Sequence, residues 1–281
     1  MNTSHALSYA LVLGAAAALF QQAPAQAAEC ALPDTGAPII TVNPKPFTVP
    51  PPATCNVGGL PGGSGGLAGY ILKASRQANI TVSGVNVGTL YDRVYCLGSA
   101  SVCDSTNTFI LATRVRMAST PVNFPGRNPN CPLWSGTSND CFEINNFFRN
   151  IRSTGPSLSA SASYWMGSGS TTGTDPDNSL AVKYLEYTGK TYKGLNQVVP
   201  PGTAADRDNS KVMYWADTNV FDPDGVNSVW SPWLFVRQNC PFGGATDHYV
   251  LTNFAIKYWQ GGEETQIPTN IQAQAYACKT S

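Results

Sequence analysis

Histidine and charge are both scarce in this chain, and each scarcity excludes chemistry. Of the 2 histidines, His5 sits in an apolar N-terminal stretch, which leaves His248 as the one imidazole for a serine or threonine nucleophile. Asp247 precedes it, but adjacent residues on a strand point to opposite faces, so it is poorly placed to orient the ring; a surface histidine is expected. No Cys-x-x-Cys occurs, and with a single histidine beyond the leader a zinc-thiolate site lacks ligands. Charged residues make up 12% of the chain, about half the usual share. The 17 basic and 17 acidic residues cancel, and no Lys/Arg cluster forms. Nucleic acid and anionic membranes are therefore poor partners.

The first 28 residues contain no Lys, Arg, Asp or Glu. Residues 6–20 are apolar, Gln21, Gln22 and Pro24 follow, and Ala25-Gln26-Ala27 offers small residues for cleavage. That layout is a secretory signal over residues 1–27, although its start lacks the customary Lys or Arg. The apolar run is too short to serve as a membrane anchor, so no membrane span is expected in the mature chain. Charged Glu29 stands where a lipoprotein needs a small residue before Cys30. The expected location is secreted or periplasmic.

All 8 cysteines follow the leader, an even count that reads as a disulfide framework outside the cytosol. Cys96 and Cys103 flank the turn Gly98-Ser99-Ala100-Ser101, and Cys131 and Cys141 flank a Ser/Gly/Asn loop. Cys30 with Cys55 and Cys240 with Cys278 complete one pairing; spacing alone does not fix it.

Residues 28–69 are dominated by proline and paired glycines, including Pro50-Pro51-Pro52, Gly58-Gly59 and Gly62-Gly63. This reads as an extended arm or linker rather than core. From residue 70 to 281 the pattern is that of a single β-rich domain. Val82 and Val85 flank Ser83-Gly84, a two-residue hairpin signal. Residues 91–97 and 108–117 follow, the latter alternating Phe109, Leu111, Val115 and Met117 against Arg114 and Arg116. Further strands are expected over 158–166, 180–187, 211–216, 229–237, 248–259 and 271–278. One short helix is expected: Asp140 and Glu143 resemble a capping box, and Ile144, Phe147, Phe148 and Ile151 fall on one helical face before Gly155-Pro156. The fold class is thus all-β, an antiparallel β-sandwich or jelly-roll-like barrel with one short helix and a Pro/Gly-rich N-terminal arm.

Three constellations invite a chemical reading. Gly62-Gly63-Ser64-Gly65-Gly66 matches a hydrolase nucleophile string but lacks the strand and helix that must flank it, so linker composition explains it. Asp217, Asn219, Asp222 and Asp224, ending at Gly225, place oxygen donors at near-alternate positions, as a calcium loop requires. The spacing departs from an EF-hand, and Asp-Pro-Asp-Gly is equally strong turn chemistry; Asp175-Pro176-Asp177-Asn178 reads as a turn for the same reason. Three Tyr-Trp pairs recur, so Trp165, Trp215 and Trp259 are candidates for stacking against sugar rings, since neighbours on a strand face opposite ways. The sequences between the pairs do not match as a repeat.

The expected function is an exported, non-catalytic binding, adhesive or extracellular structural protein. Its partner would be a glycan or other cell-surface component, and calcium is the one cofactor suggested. The alternative is a secreted, glycan-directed hydrolase using an Asp/Glu pair drawn from Glu143, Glu186 and the Asp cluster.

Overall fold

The computed structural model describes residues 30–31, 55–63, 67–82, 84–98, 103, 108–117, 144–151, 161–181, 190–191, 212–214, 217–220, 229–240, 247–260 and 269–279. These residues form antiparallel β-sheet with almost no helix. In chain order the strands are β1 (Cys30–Ala31), β2 (Tyr70–Val82), β3 (Val85–Leu97), β4 (Thr108–Met117), β5 (Ile144–Ile151) and β6 (Ser161–Trp165). They continue with β7 (Lys190–Thr191), β8 (Val212–Tyr214), β9 (Asp217–Val220), β10 (Trp233–Asn239), β11 (Tyr249–Gln260) and β12 (Thr269–Cys278).

Sheet A has the order β1-β6-β10-β4-β3-β2, and sheet B the order β12-β11-β5-β8-β7 with β9 also paired to β5. The β2–β3 hairpin turns where its sequence demands: Gly84 has φ +80°, a conformation that other residues rarely adopt, and Val82 pairs with Val85. β4 has the bounds expected from its alternation, yet both of its faces are buried. Val94, Cys96, Phe109 and Leu111 pack with Cys240 and Cys278 on one side, where Tyr249 and Tyr276 of sheet B join them. Tyr95, Ile110, Ala112, Trp233 and Phe235 pack on the other. Each large side chain withdrawn from water contributes about 1.5–3 kcal/mol, so double burial anchors sheet A more firmly than strand propensity would.

Two expectations need correction. The chain over Ile144–Ile151 is strand β5, not a helix. Its register shifts between Ile144 and Asn146, the mark of a bulge. The extra residue lies on β9, while β5 is buried on both faces, at Ile144 on one and at Phe147 and Arg149 on the other, so a doubly buried strand imitates the three-residue step of a helix. The Pro/Gly-rich segment is also not wholly outside the core: Val57 and Leu67 are buried against Tyr70, Trp233 and Phe235. The Val57 N–H donates to Tyr164 O, which fastens the segment to β6.

Other differences are local. β10 begins at Trp233, and Trp230 forms only an isolated bridge with Arg116. Leu180 and Ala181 are not in a strand, and 182–187 lie outside the described residues. The disulfides Cys96–Cys103 and Cys240–Cys278 are formed. Cys55 is disulfide-bonded, whereas Cys131 and Cys141 lie outside the described residues. Cys30 pairs through its backbone with Ala162, and Asn56 bridges Tyr164, so Cys30 and Cys55 attach along the same edge of β6.

Candidate functional site

Buried charge in this fold is matched by partners. Between the sheets, Asp92 on β3 is 0% exposed and Arg149 on β5 is 1% exposed. Asp92 Oδ1 accepts from Arg149 Nη1 at 2.6 Å and from Thr113 Oγ1 at 3.0 Å. Its Oδ2 accepts from the Tyr276 N–H at 2.6 Å. Arg149 also donates to Thr113 Oγ1 and to Tyr276 O. Arg76 on β2 donates to Gln274 O. The edge of β12 that β11 does not cover is therefore satisfied by charged side chains from β2, β3 and β5. A buried carboxylate with this many donors is held as a structural acceptor.

His248 is likewise structural, and the expectation of a surface histidine is corrected: it is 2% exposed. Its Nδ1 lies 2.7 Å from Cys240 O, and because a carbonyl can only accept, Nδ1 carries the proton. The His248 N–H donates to Cys103 O, Lys279 N–H donates to His248 O, and Cys103 N–H donates to Asp247 Oδ1 at 2.9 Å. Asp247-His248 thus ties together the two described disulfides, and these bonds, not a substrate, explain the pair.

The other face of sheet A is closed by residues 166–181. Arg114 is fully buried and donates to Ser231 O at 2.9 Å, Pro176 O at 2.7 Å and Ser179 O. Its guanidinium lies 4.5 Å from the Trp230 ring centroid, and that of Arg93 lies 4.8 Å from Trp233. Burial lowers the Arg114 pKa to about 10, with Asp175 and Asp177 opposing the shift. The indole N–H groups of Trp230 and Trp233 donate to Gly173 O and Pro176 O. Asp177 pairs with Arg93, and Asp175 Oδ1 accepts from the Asp177 N–H at 2.9 Å, the Asx-turn expected here. At the loop's neck Gly167 has φ +86°, and a Cβ there would stand 2.1 Å from Ser179 O. These residues hold the loop down.

Sheet B differs. Phe147, Arg149 and Ile256 share one buried face, from which Arg149 reaches Asp92 of sheet A. The alternate positions form two rows through directly paired residues. One runs Asn270–Trp259–Asn146–Asp217 across β12, β11, β5 and β9. The next runs Gln272–Lys257–Phe148. Register thus brings Trp259 and Asp217, both singled out from sequence, into one row with two asparagines. Asn146, Phe148 and Lys257 were not anticipated, because cross-strand register is not written in local sequence.

The remaining expected residues are scattered. Trp165, at the end of β6, is half-buried against the cluster around Trp233. Asp217 and Asn219 lie two apart in strand β9 rather than in a loop. Trp215, Asp222, Asp224, Glu143, Glu186 and Ser64 lie outside the described residues. Among the described residues no group of three or more His, Cys, Asp or Glu gathers as metal ligands, and no helix is long and apolar enough to cross a membrane. No protein-family model matches the chain, and no significant similarity to a curated protein or to a solved structure is found.

Proposed function

We propose that this is an exported, non-catalytic binding protein, its two sheets stacked as a β-sandwich, that takes a glycan at one row of aligned positions in sheet B. One observation carries the reading: the row Asn270–Trp259–Asn146–Asp217. An aromatic ring offers an apolar plane for a sugar's C–H face, and amide and carboxylate groups beside it match ring hydroxyls. Directly paired residues share a face of a sheet, so the row supplies both chemistries together. The sandwich is supported by the buried ion pair between Asp92 and Arg149, one from each sheet.

Binding is preferred to hydrolysis because no local sequence signature selects a carboxylate pair, and the described carboxylates Asp92, Asp175, Asp177 and Asp247 are each bonded within the fold. The proposed calcium ligands are the hard oxygen donors of Asp217, Asn219, Asp222 and Asp224. Export follows from the N-terminal signal layout, and the disulfides are compatible with it. A glycan array probed with and without a calcium chelator tests the reading. The expected result is binding to a restricted set of glycans that Trp259→Ala abolishes and chelation weakens. No glycan signal, or binding indifferent to Trp259→Ala, would overturn it.

A further inference from the structure

We infer that sheet A carries a second ligand site, in which Arg116, flanked by the hydroxyls of Thr89 and Tyr91, binds an oxyanion such as a sulfate or carboxylate group. This site does not depend on the glycan row of sheet B. Asn79 pairs directly with Thr89 and Thr89 with Arg116, one row across β2, β3 and β4; the next row is Gln77–Tyr91–Arg114. Thr89 is thus the direct neighbour of Arg116 and Tyr91 its diagonal one. Asp92, next to Tyr91, reaches Arg149 of sheet B, so both rows stand on the opposite face of sheet A. Their side chains meet water: Gln77 and Asn79 are exposed, and Thr89, Tyr91 and Arg116 are partly so, although Arg114 is buried under residues 166–181.

Charge sets the class of ligand. Arg93, Arg114 and Arg116 stand on this face, and Asp175 and Asp177 of the loop act on the first two: Asp177 pairs with Arg93, and both carboxylates favour the charged form of Arg114. Arg114 also donates to the carbonyls of Pro176, Ser179 and Ser231. The cation left over is Arg116. Among the described residues it has no hydrogen-bond acceptor and no ion-pair partner; its guanidinium stacks 5.6 Å from the Trp230 ring centroid, and its Nε is buried without a partner. Burial raises the Tyr91 phenol, while Arg116 and then Arg114 oppose that shift, so two cations act at one place on the face. A guanidinium presents a fork of donors that matches two oxygens of an oxyanion, and a hydroxyl on either side can donate to a third. Asn79 and Gln77 lie one strand further out, where they would meet whatever molecule bears the charged group.

The test is a nuclear magnetic resonance titration of the full, isotope-labelled protein with sodium sulfate, sodium acetate and a sulfated monosaccharide, at an ionic strength held constant with chloride. The expected result is a saturable shift of the Arg116 side-chain N–H signal, accompanied by the backbone amides of Thr89 and Tyr91, which also report binding in the variants. Arg116→Gln should weaken binding at least about tenfold. Arg116→Lys, which keeps the charge and loses the fork, should weaken it several-fold, and Thr89→Val about threefold. Asn79→Ala separates the sources: if it weakens the sugar sulfate alone, the oxyanion belongs to a larger ligand, and if it weakens neither, the free ion is bound. Shifts that chloride reproduces would overturn the inference. So would saturable binding that both Arg116 variants leave unchanged.

Discussion

Sheet A and sheet B bury their polar groups by different rules. Sheet A is buried on both faces along β4, and two of its arginines are spent on structure: Arg114 on backbone carbonyls and an indole ring, Arg93 on Asp177 and Trp233. Sheet B buries Phe147, Arg149 and Ile256, and the alternate positions of its strands include the aligned row Asn270–Trp259–Asn146–Asp217. Arg93 and Arg114 of sheet A serve the fold, and the proposed glycan row lies in sheet B. Substitutions at the buried positions of sheet A should therefore change stability with glycan binding following only as far as folding does, and Trp259→Ala in sheet B should do the reverse.

The largest expected effect is at Asp92. Asp92→Ala strands the Arg149 cation and the Tyr276 N–H in the interior, and it should cost about 3–5 kcal/mol in chemical denaturation. Asp92→Asn keeps an acceptor and should cost less. Replacing Cys240 and Cys278 by alanine opens a loop of sequence separation 38, for an expected loss of about 4 kcal/mol. Arg114→Met leaves the carbonyls of Pro176, Ser179 and Ser231 short of a donor, and a loss of about 3 kcal/mol is expected. Trp259→Ala sharpens the contrast: its denaturation midpoint should move by no more than about 0.5 kcal/mol while glycan binding is lost.

The smallest effect is alkaline. Burial first, and then neighbouring Asp247, push the Tyr249 phenol from 10.0 up to about 12. The unfolded chain releases this proton before the folded one does, so the contribution to stability is complete below pH 10 and is lost as pH rises through about 12. Tyr249→Phe should show a shallower fall in stability over that window. Arg114 acts with the opposite sign, since its lowered value means its burial cost is relieved above about pH 10. Comparing Tyr249→Phe with Arg114→Met separates the two.

What could be read from sequence was local. The alternation over 108–117 specified β4 because its side chains sort by parity, and Ser83-Gly84 specified the hairpin because only a glycine suits that turn. The cysteine pair 96–103 was legible as spacing, whereas 240–278 was a pairing that spacing left open. β5 was not, since burial at Ile144 on one face and at Phe147 on the other mimicked a helical step. The pairing of Asp92 with Arg149 spans 57 residues of sequence and two sheets, and no local pattern reports it. Of the candidate site, Trp259 and Asp217 were visible as residue types, but their common row depends on three strand registers that only the folded chain possesses.

The division of labour between the sheets can be tested in one measurement: oxidative footprinting of the aromatic side chains, read by mass spectrometry, with and without a saturating oligosaccharide. Bound sugar should protect Trp259, while Trp230 and Trp233, already buried under residues 166–181, stay unreactive in both states. Protection at Trp165 or along residues 55–67 instead, with Trp259 unchanged, would contradict the account.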